Sequence, residues 1–435
     1  MTNALAASPG VKALLLGLLA LVLLVPLLQV RFLVEERQAR AQEAEATIAR
    51  QWGQAQLLAP AYLSVAAAGA ATPEGGFQPR TEPRILLPDR IEVDGELRTE
   101  VRARGMFRVP VYVAQLRIKA RFDAAEVAAL RALAADPARL RLELALGDPR
   151  GIRALGLLQA NGAAHRLAAT GPGPGGLRAF GIDLPAGSDA IELEYALALA
   201  GVGELRVLPL ARTTQVALRG DWGDPAFIGS YLPASRRVEA SAFGASWQVP
   251  EFSRDFAQQG ALADYDAALL AASAFGVRLY QPAGLYQQNE RSAKYGVLMV
   301  ALLFVALFLF EILAGLRLHA LQYLLVGLAL ATFYLLLLAL SEHIGFAPAY
   351  GVAALAAVAL VAVYAAAVLA SHRRALLLAL LQAAAYGVFY VLVRSEDLAL
   401  LMGAIVLFAA LATVMWLTRR TDWHALGRNA QATAA

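Results

Sequence analysis

The sequence predicts a membrane-embedded α-helical bundle with an inserted β-rich domain. Five long apolar runs fill the C-terminal third, and a sixth, Val11–Val30, lies near the N-terminus. Each has about the 20 residues that a helix needs to cross a bilayer. Between them lies a long segment in which apolar and polar residues alternate, as in strands with one buried face. The five C-terminal runs are Tyr295–Leu316, Leu321–Leu340, Phe346–Ala370, Ala375–Val393 and Leu398–Leu417.

The composition supports a membrane protein and excludes several other classes. Of 435 residues, 59 % are hydrophobic and 17 % are charged, whereas a soluble domain has about 25 % charged residues. The net charge is +4, and no cluster of basic residues with interleaved aromatics indicates a nucleic-acid partner. The absence of cysteine excludes disulfides, thiol catalysis and thiolate metal sites. We expect no cofactor.

The N-terminal run, assigned to a first segment of residues 1–33, predicts an uncleaved signal anchor. Lys12 lies at its start, and no small-x-small cleavage site follows it. A cleaved signal peptide is the alternative, and Pro26 can kink the helix. Residues 34–84 are expected to form a charged helical stalk followed, from residue 54, by an irregular lead-in.

Residues 85–285 predict a β-rich domain, expected to be a sandwich, although a larger two-sheet form fits the pattern equally well. Asp94-Gly95 and Asn161-Gly162 are hairpin signals. One helix interrupts the strands from Asp123 to about residue 134. Asp123 is the expected N-cap, with Glu126 completing a capping box.

Residues 286–420 predict a juxtamembrane helix and the five-helix bundle, followed by a tail, residues 421–435. The run Phe346–Ala370 is rich in alanine and glycine, so we expect it inside the bundle. No internal repeat among the runs favours an inverted-repeat transporter. The segment Tyr286–Tyr295 is expected to be a helix that couples the β domain mechanically to the bundle, with an ordinary interfacial anchor as the alternative.

The basic residues of the connections predict the orientation. One side collects six arginines and the other only Arg394, which favours the first side as cytoplasmic. Both termini are then cytoplasmic, and residues ~31–294 lie outside. The six are Arg317, Arg373, Arg374, Arg419, Arg420 and Arg428.

Candidate functional residues in the bundle are few. Glu311 is the one formally charged residue inside the five C-terminal runs, so it is a functional candidate by default; the alternative is a structural partner of Arg317, His319 or Gln322. Glu342-His343 suggests either a helix-end cap or a proton relay or metal half-site. The further candidates in this region are Arg291, Lys294, Gln322 and Tyr323.

Candidates in the β domain are mostly aromatic. We expect them in the core or at a sheet edge, with a ligand or peptide groove as the alternative. Arg104-Gly105 is expected to mark a bulge or a close backbone approach. The aromatic motif comprises Trp222, Pro225, Phe227 and Trp247. We identify no catalytic residue and no metal ligand set.

Several short motifs, taken together, resemble the CreD family of bacterial inner-membrane proteins, also described as cell envelope integrity proteins. The resemblance covers nearly the whole chain. After Gln281-Pro282, the acidic residue usual in the family is replaced by Ala283-Gly284. The matching stretches include Arg104-Gly105-Met106-Phe107, Asp148-Pro149-Arg150-Gly151, Trp222–Gly229, Tyr231-Leu232-Pro233, Ala242–Trp247, Phe275-Gly276-Val277, Glu290–Tyr295, Phe310-Glu311, Gln322-Tyr323 and Ser341–Ile344.

The resemblance implies a multi-pass inner-membrane protein with a periplasmic domain, associated with envelope stress and integrity, and it supplies no reaction. We therefore expect a non-enzymatic protein that binds another envelope protein, a lipid or a cell-wall component, in addition to the bilayer. The alternative is a transporter or lipid-handling protein that uses Glu311 and the bundle. A membrane-embedded hydrolase is the least favoured alternative.

Overall fold

The computed structural model describes residues 9–67, 83–136, 139–185, 190–279, 285–314, 318–369, 371–395 and 399–419. The chain divides into two compact units, Met1–Arg40 with Ala283–Ala435, and Ala41–Pro282. The first unit is helical and the second is mainly β, as the sequence predicts.

Within the described ranges, six helices or helix pairs are long and apolar enough to span a membrane. This confirms one N-terminal and five C-terminal spans. A short turn at Tyr295 separates the helix Leu285–Lys294 from the helix Gly296–Ala314, and the backbone N–H of Tyr295 still donates to the carbonyl of Arg291. The helices of the first unit are α1 Pro9–Val22, α2 Leu24–Trp52 (of which residues 41–52 belong to the second unit), α5 Leu285–Lys294, α6 Gly296–Ala314, α7 Ala320–Ile344, α8 Phe346–Val368, α9 His372–Arg394 and α10 Ala399–Thr418.

The break between α1 and α2 falls at Leu23, three residues before Pro26. Proline lacks an N–H and its ring crowds the carbonyl four residues earlier, which here belongs to Val22. The predicted kink therefore has a local cause. The predicted charged stalk is also helical, because α2 continues without a break to Trp52.

The first sheet of the β unit is mixed and has nine strands. Its order is β14-β18-β12-β1-β5-β10-β9, with β2 paired to β1 and β17 paired to β2. The strands, numbered along the whole chain, are β1 Gln56–Ala66, β2 Pro83–Leu86, β5 Leu140–Leu146, β9 Ala168–Pro172, β10 Arg178–Leu184, β12 Glu204–Val207, β14 Pro225–Gly229, β17 Gln259–Ala261 and β18 Phe275–Leu279.

The second sheet also has nine strands, in the order β15-β16-β13-β3-β4-β11-β7-β8, with β6 paired to β11. Buried side chains from both sheets form one apolar core, as expected for a two-sheet domain. The helices of this unit are α3 Ala124–Ala132 and α4 Ala267–Ser273. The strands are β3 Arg90–Arg104, β4 Phe107–Phe122, β6 Ile152–Leu155, β7 Leu158–Ala160, β8 Ala163–His165, β11 Ile191–Val202, β13 Thr213–Gly220, β15 Ser235–Val238 and β16 Phe243–Pro250.

The prediction of an irregular segment from residue 54 onward is wrong for Gln56–Ala66, which form strand β1. This strand pairs in parallel with β12 and antiparallel with β5, near the middle of its sheet. Nearly all its side chains are buried, so it lacks the alternation that marks a half-exposed strand. Pro60 also argues against a central strand, but the register against β5 shifts between Ala59 and Tyr62, which accommodates it.

One of the two predicted hairpins is correct. Asn161 and Gly162 connect β7 to β8 with φ of 49° and 81°, the left-handed pair that a two-residue hairpin requires. Asp94-Gly95 instead lies inside β3. A Cβ on Gly95 would lie 2.7 Å from the Leu116 and Leu218 methyl groups, so this glycine permits close side-chain packing.

Two helix predictions also need adjustment. Asp123 caps α3 by accepting from the N–H groups of residues 125 and 126. The Glu126 carboxylate, expected to complete a capping box, pairs with Arg212 instead.

In α8, one face is buried through small residues such as Ala353 and Ala357, while Leu355 on the other face is exposed. The expectation that this helix is enclosed within the bundle is therefore wrong, because only its small-residue face packs against neighbours.

Candidate functional site

Glu311, near the end of α6, is the centre of a buried polar cluster. Its carboxylate pairs with the ammonium of Lys12 in α1 and accepts hydrogen bonds from the Tyr323 hydroxyl (2.8 Å) and the Leu318 N–H (3.3 Å). Lys12 also donates to the Leu318 carbonyl at 2.7 Å. We call these four residues the Glu311 cluster. Glu311 is 8 % exposed, and pairing reduces the free-energy cost of holding its charge in a membrane helix.

The partners expected for Glu311 from the sequence have other roles. His319 caps α7 by accepting from the Leu321 N–H at 3.2 Å, and Gln322 accepts from the His319 N–H at 2.8 Å. Arg317 lies outside the described residues. Tyr323, which the sequence analysis gave as a candidate but not as a partner of Glu311, does contact it, and the Tyr323 ring packs edge-on against Phe304.

A second polar cluster surrounds Glu342 at the other end of α7. The Tyr286 hydroxyl donates to the Glu342 carboxylate at 3.2 Å, and the Arg37 Nε lies 3.8 Å from it. Beside them the Asn289 amide donates to the Ser341 hydroxyl at 3.0 Å. We call these five residues the Glu342 cluster. Because Arg37 belongs to α2 and Tyr286 to α5, one carboxylate on α7 contacts both helices adjacent in sequence to the β unit.

The side chains of Glu342 and His343 have different partners in the described structure. The Glu342 side chain is 7 % exposed, whereas His343 is exposed and its Nδ1 lies 3.0 Å from the Ala339 carbonyl of its own helix. Among the described residues, no three His, Asp or Glu side chains are placed to hold a metal ion. Glu342 therefore joins helices, and His343 faces the surroundings.

The juxtamembrane helix α5 contains the predicted i, i+4 ion pair. Lys294 Nζ lies 2.8 Å from the Glu290 carboxylate. Arg291 is half-buried on the same helix, while Asn289, Ser292 and residue 293 form its buried face. The predicted helix is thus confirmed, and its contact with α7 through the Glu342 cluster is an addition to the prediction.

The N-terminal span runs alongside α7 in the same direction. Lys12 meets the start of α7 and Arg37 meets its end; at 1.5 Å per residue, the 25 residues between them extend about 37 Å. Gly327 of α7 allows the close approach, because a Cβ there would lie 2.1 Å from a Leu23 methyl group. The two spans therefore approach each other closely at Gly327 and have polar contacts at both ends of α7.

The aromatic motif of the β domain is confirmed as core and sheet edge. Trp247 is buried, and its ring centroid lies 5.8 Å from that of Phe227 and 5.7 Å from that of Phe275. Trp222 is half-buried and donates to the carbonyl of residue 224 at 3.2 Å. Pro225 begins the edge strand β14, where a missing N–H does not weaken the sheet.

Arg104-Gly105 is neither a bulge nor a close backbone approach. The β3–β4 ladder continues to Arg104 paired with Phe107, so Gly105 and Met106 form the hairpin turn. Gly105 has φ of +61°, and a Cβ there would have open space around it. A glycine is favoured here because the backbone is left-handed, and not because another backbone segment lies close. This is why the prediction of a bulge or close approach is wrong.

Asp148 fixes the turn before β6. It accepts from the Gln54 N–H at 2.9 Å and from the Arg150 Nε at 2.9 Å. Burial acts to raise the pKa of Asp148, but hydrogen bonds from the Arg150 side chain and from the backbone N–H groups of Gln54 and Arg150 prevail and hold that pKa below its ordinary value. Gln56, 1 % exposed, donates to the carbonyls of Asp148 and Ala200.

Sequence reasoning missed Lys12 and Arg37 as site residues. Lys12 and Arg37 were assigned to the flank and the stalk of a simple anchor. One sequence feature could have identified them. A basic residue lies near each end of the N-terminal apolar span, and the acidic residues Glu311 and Glu342 lie near the ends of other spans.

These features define a multi-pass membrane protein with an inserted two-sheet domain, whose N-terminal span is tied to the C-terminal bundle by polar contacts. Residues 8–424 match the family model described as inner membrane protein CreD, so the chain belongs to the CreD family. It is 35 % identical over 412 residues to the inner membrane protein CreD of Escherichia coli (strain K12), covering 93 % of this chain and 91 % of that protein. It is thus an inner-membrane protein by homology.

Proposed function

We propose that this chain supports cell-envelope integrity by binding another envelope component through its β domain, and that it acts without catalysing a reaction. Membership of an inner-membrane family supports the location. The observation that carries the proposal is an exposed apolar pair, Leu232 and Phe252. Their side chains are 81 % and 98 % exposed.

The apolar pair stands on an ordered framework. The Tyr231 hydroxyl donates to the Ser253 carbonyl, which brings the two segments together. The Trp247 indole N–H donates to the Tyr231 carbonyl at 3.1 Å, and the Tyr231 ring packs edge-on against Phe275 at 5.6 Å. Large apolar side chains presented on a rigid support lose little conformational entropy on binding, which is typical of contact residues.

In-cell photo-crosslinking tests this proposal. A photoreactive residue at Leu232 or Phe252 is expected to capture a partner, and mass spectrometry then distinguishes a protein, a lipid and a cell-wall adduct. Leu157, 55 % exposed at the second sheet, is the matched control. Equal capture from Leu157, or none from positions 232 and 252, would contradict the proposal.

A lipid-handling role is the second candidate, and a groove in the bundle favours it. The groove has a volume of about 700 Å³ and lies among α2, α7 and α8, within the range of roughly 300–1,000 Å³ common for ligand sites. Its lining includes Leu33, Leu335 and Leu360, whereas Glu311 lies in its own cluster. Replacing Leu360 with Trp fills the groove. Loss of envelope protection in that variant, with crosslinking at Phe252 intact, would favour lipid handling over partner binding.

A further inference from the structure

The hairpin formed by β3 and β4 extends beyond its sheet. Strand β3 pairs with β13 only as far as Leu97, and β4 pairs with β11 only from Val111 onward. Among the described residues, those from 98 to 110 pair only with each other, up to the turn at Gly105 and Met106. A two-stranded hairpin standing alone is at best marginally stable in water, so this projection needs a support or a partner.

Helix α2 supports the base of the projection. The Arg102 guanidinium lies over the Trp52 ring, 4.0 Å from its centroid. Ile48, one turn earlier in α2, belongs to the same small apolar cluster as Val109 and Val111. Beyond these contacts, the side chains from residue 100 to the turn are exposed on both faces of the hairpin.

The hairpin turn lies toward the residue-41 end of α2. A Cβ on Gly53, just after α2, would lie 2.7 Å from the Ala200 carbonyl oxygen, whereas a Cβ on Gly203 would lie 4.0 Å from the carboxylate of Glu45, about two turns earlier in α2. From Ala200 onward, β11 runs antiparallel to β4 toward the start of β4 and hence toward the hairpin turn. Moving backward along α2 therefore leads toward the turn, and in sequence it leads to the N-terminal membrane span.

The end of the projection combines apolar and basic side chains. Val101 and Met106 are 49 % and 41 % exposed. Residues 98–110 contain four arginines and one glutamate, which gives a net charge of +3. The glutamate, Glu100, lies 3.2 Å from an arginine in an exposed pair, and such surface pairs contribute little. The four arginines are Arg98, Arg102, Arg104 and Arg108.

This combination matches the surface of an anionic bilayer. Apolar side chains enter the boundary between headgroups and acyl chains, while guanidinium groups bind the lipid phosphates. The arginines also lie on both faces of the hairpin. Arg102 and Arg104 share one face, and Arg108, which is opposite Ala103, lies on the other. A headgroup layer surrounds an inserted tip and contacts both faces, whereas docking on a protein surface would use one.

We propose that the tip of this hairpin, residues 100–108, binds the anionic surface of the bilayer that the chain spans. Two observations favour lipid over an acidic protein. The turn lies toward the end of α2 that leads to the membrane span, and the tether to the bilayer gives the lipid surface a high effective concentration. This contact is independent of the Leu232 and Phe252 surface in the proposed function, so either proposal can fail without the other.

Fluorescence of the full-length chain in lipid nanodiscs tests the proposal. The sequence contains no cysteine, so Met106→Cys carries a single NBD label at the turn. In nanodiscs that contain phosphatidylglycerol, lipids spin-labelled near the headgroup should quench this label, and dithionite in the water should reduce it slowly. Ala163→Cys is the matched control, because it lies exposed in the β7–β8 hairpin, which is joined to the opposite end of β11. Its label should be quenched little and reduced fast. Equal behaviour of the two labels would overturn the proposal.

Removal of charge tests the chemistry of the contact. Arg104→Gln with Arg108→Gln in the labelled protein should lower the ratio of membrane-bound to free tip by roughly 30-fold, at about fivefold for each arginine. Arg117→Gln with Arg121→Gln removes the same charge from exposed positions of β4 within the sheet and should leave the quenching unchanged. Quenching that persists in neutral phosphatidylcholine, or after loss of both tip arginines, would also overturn the proposal. If Met106→Cys does not accumulate, Val101→Cys supplies the same measurement.

Discussion

At Glu311 a carboxylate, an ammonium and a phenol hydroxyl meet within the membrane-spanning unit. The carboxylate oxygens have partners from Lys12, Leu318 and Tyr323. Removing one member of a buried ion pair leaves the other charge uncompensated, which usually destabilises more than removing both members. We therefore expect a single substitution of Lys12 or Glu311 to lower the stability more than substitution of both.

We predict that Glu311→Leu lowers stability more than Glu311→Gln, because the Gln amide can keep both contacts: its carbonyl oxygen can accept from the Leu318 N–H, and its NH2 group can donate to the Tyr323 hydroxyl oxygen. Each variant leaves Lys12 without its counter-charge, so losses of roughly 1–3 kcal/mol are expected. The double variant Lys12→Met with Glu311→Leu should recover part of the loss. Thermal unfolding of the purified single and double variants measures the stability that each loses. Strictly additive losses would show that the Lys12 and Glu311 side chains do not interact.

A pH dependence is expected from Asp148. A carboxyl group whose pKa is lowered by folding contributes stability above its unfolded pKa, about 3.9, and this contribution is lost as the pH falls through the folded pKa. Unfolding followed by tryptophan fluorescence should therefore show Tm falling below about pH 4. Asp148→Asn should have a lower Tm at neutral pH and a weaker acid dependence. Asp183→Asn, which removes an exposed carboxylate, should retain the parent's acid dependence; identical curves for Asp148→Asn and the parent would contradict the prediction.

Residue identity alone indicated Glu311 but not its partner. Lys12 lies 299 positions away in sequence, and no local spacing relates two such residues. The Glu290–Lys294 pair, by contrast, was predictable because helical periodicity places the two side chains together. Local geometry can therefore be inferred from the sequence, whereas contacts between distant helices depend on how the bundle packs.

At the scale of secondary-structure elements, strands with one exposed face could be predicted from the sequence, whereas a strand buried on both faces could not. The hairpin at Asn161-Gly162 has its own backbone signal, and strands with one exposed face alternate visibly. Strand β1 was missed because it is buried on both sides and contains Pro60, so its sequence has no alternation to read. Likewise Gly95 and Gly105 look alike in sequence, although one allows side-chain packing and the other makes a turn.

Helix α5 carries the coupling prediction. Its contacts with α7 through Tyr286 and Asn289 support it, while residues 280–284 lie outside the described residues, so the coupling stays a prediction. Inserting Gly-Ser-Gly after Gln288 separates Tyr286 from the anchoring residues that follow. We expect this variant to reach the membrane and to lose envelope protection. The same insertion after Gly162, in an exposed hairpin, should be tolerated; full protection by the α5 insertion variant would refute coupling.

At the scale of the whole molecule, the orientation in the membrane is the main prediction. The parallel course of the N-terminal span and α7, with α6 between them in sequence, agrees with alternating spans. The arginine count then puts both termini in the cytoplasm. Reporter fusions after Gly276 and at Ala435 should signal outside and inside, respectively. A cytoplasmic signal from the Gly276 fusion would reverse the model.

The contact between Lys12 and Glu311 also has a consequence for the order of synthesis. At about 5–20 residues per second, the 299 positions between them take about 15–60 s to translate. During that interval the first span is already made, while its carboxylate partner does not yet exist. A nascent chain therefore holds a basic side chain without its partner until the C-terminal helices arrive. Early chain termination should leave a membrane species that quality-control proteases recognise, because the ion pair cannot form before α6 has been made.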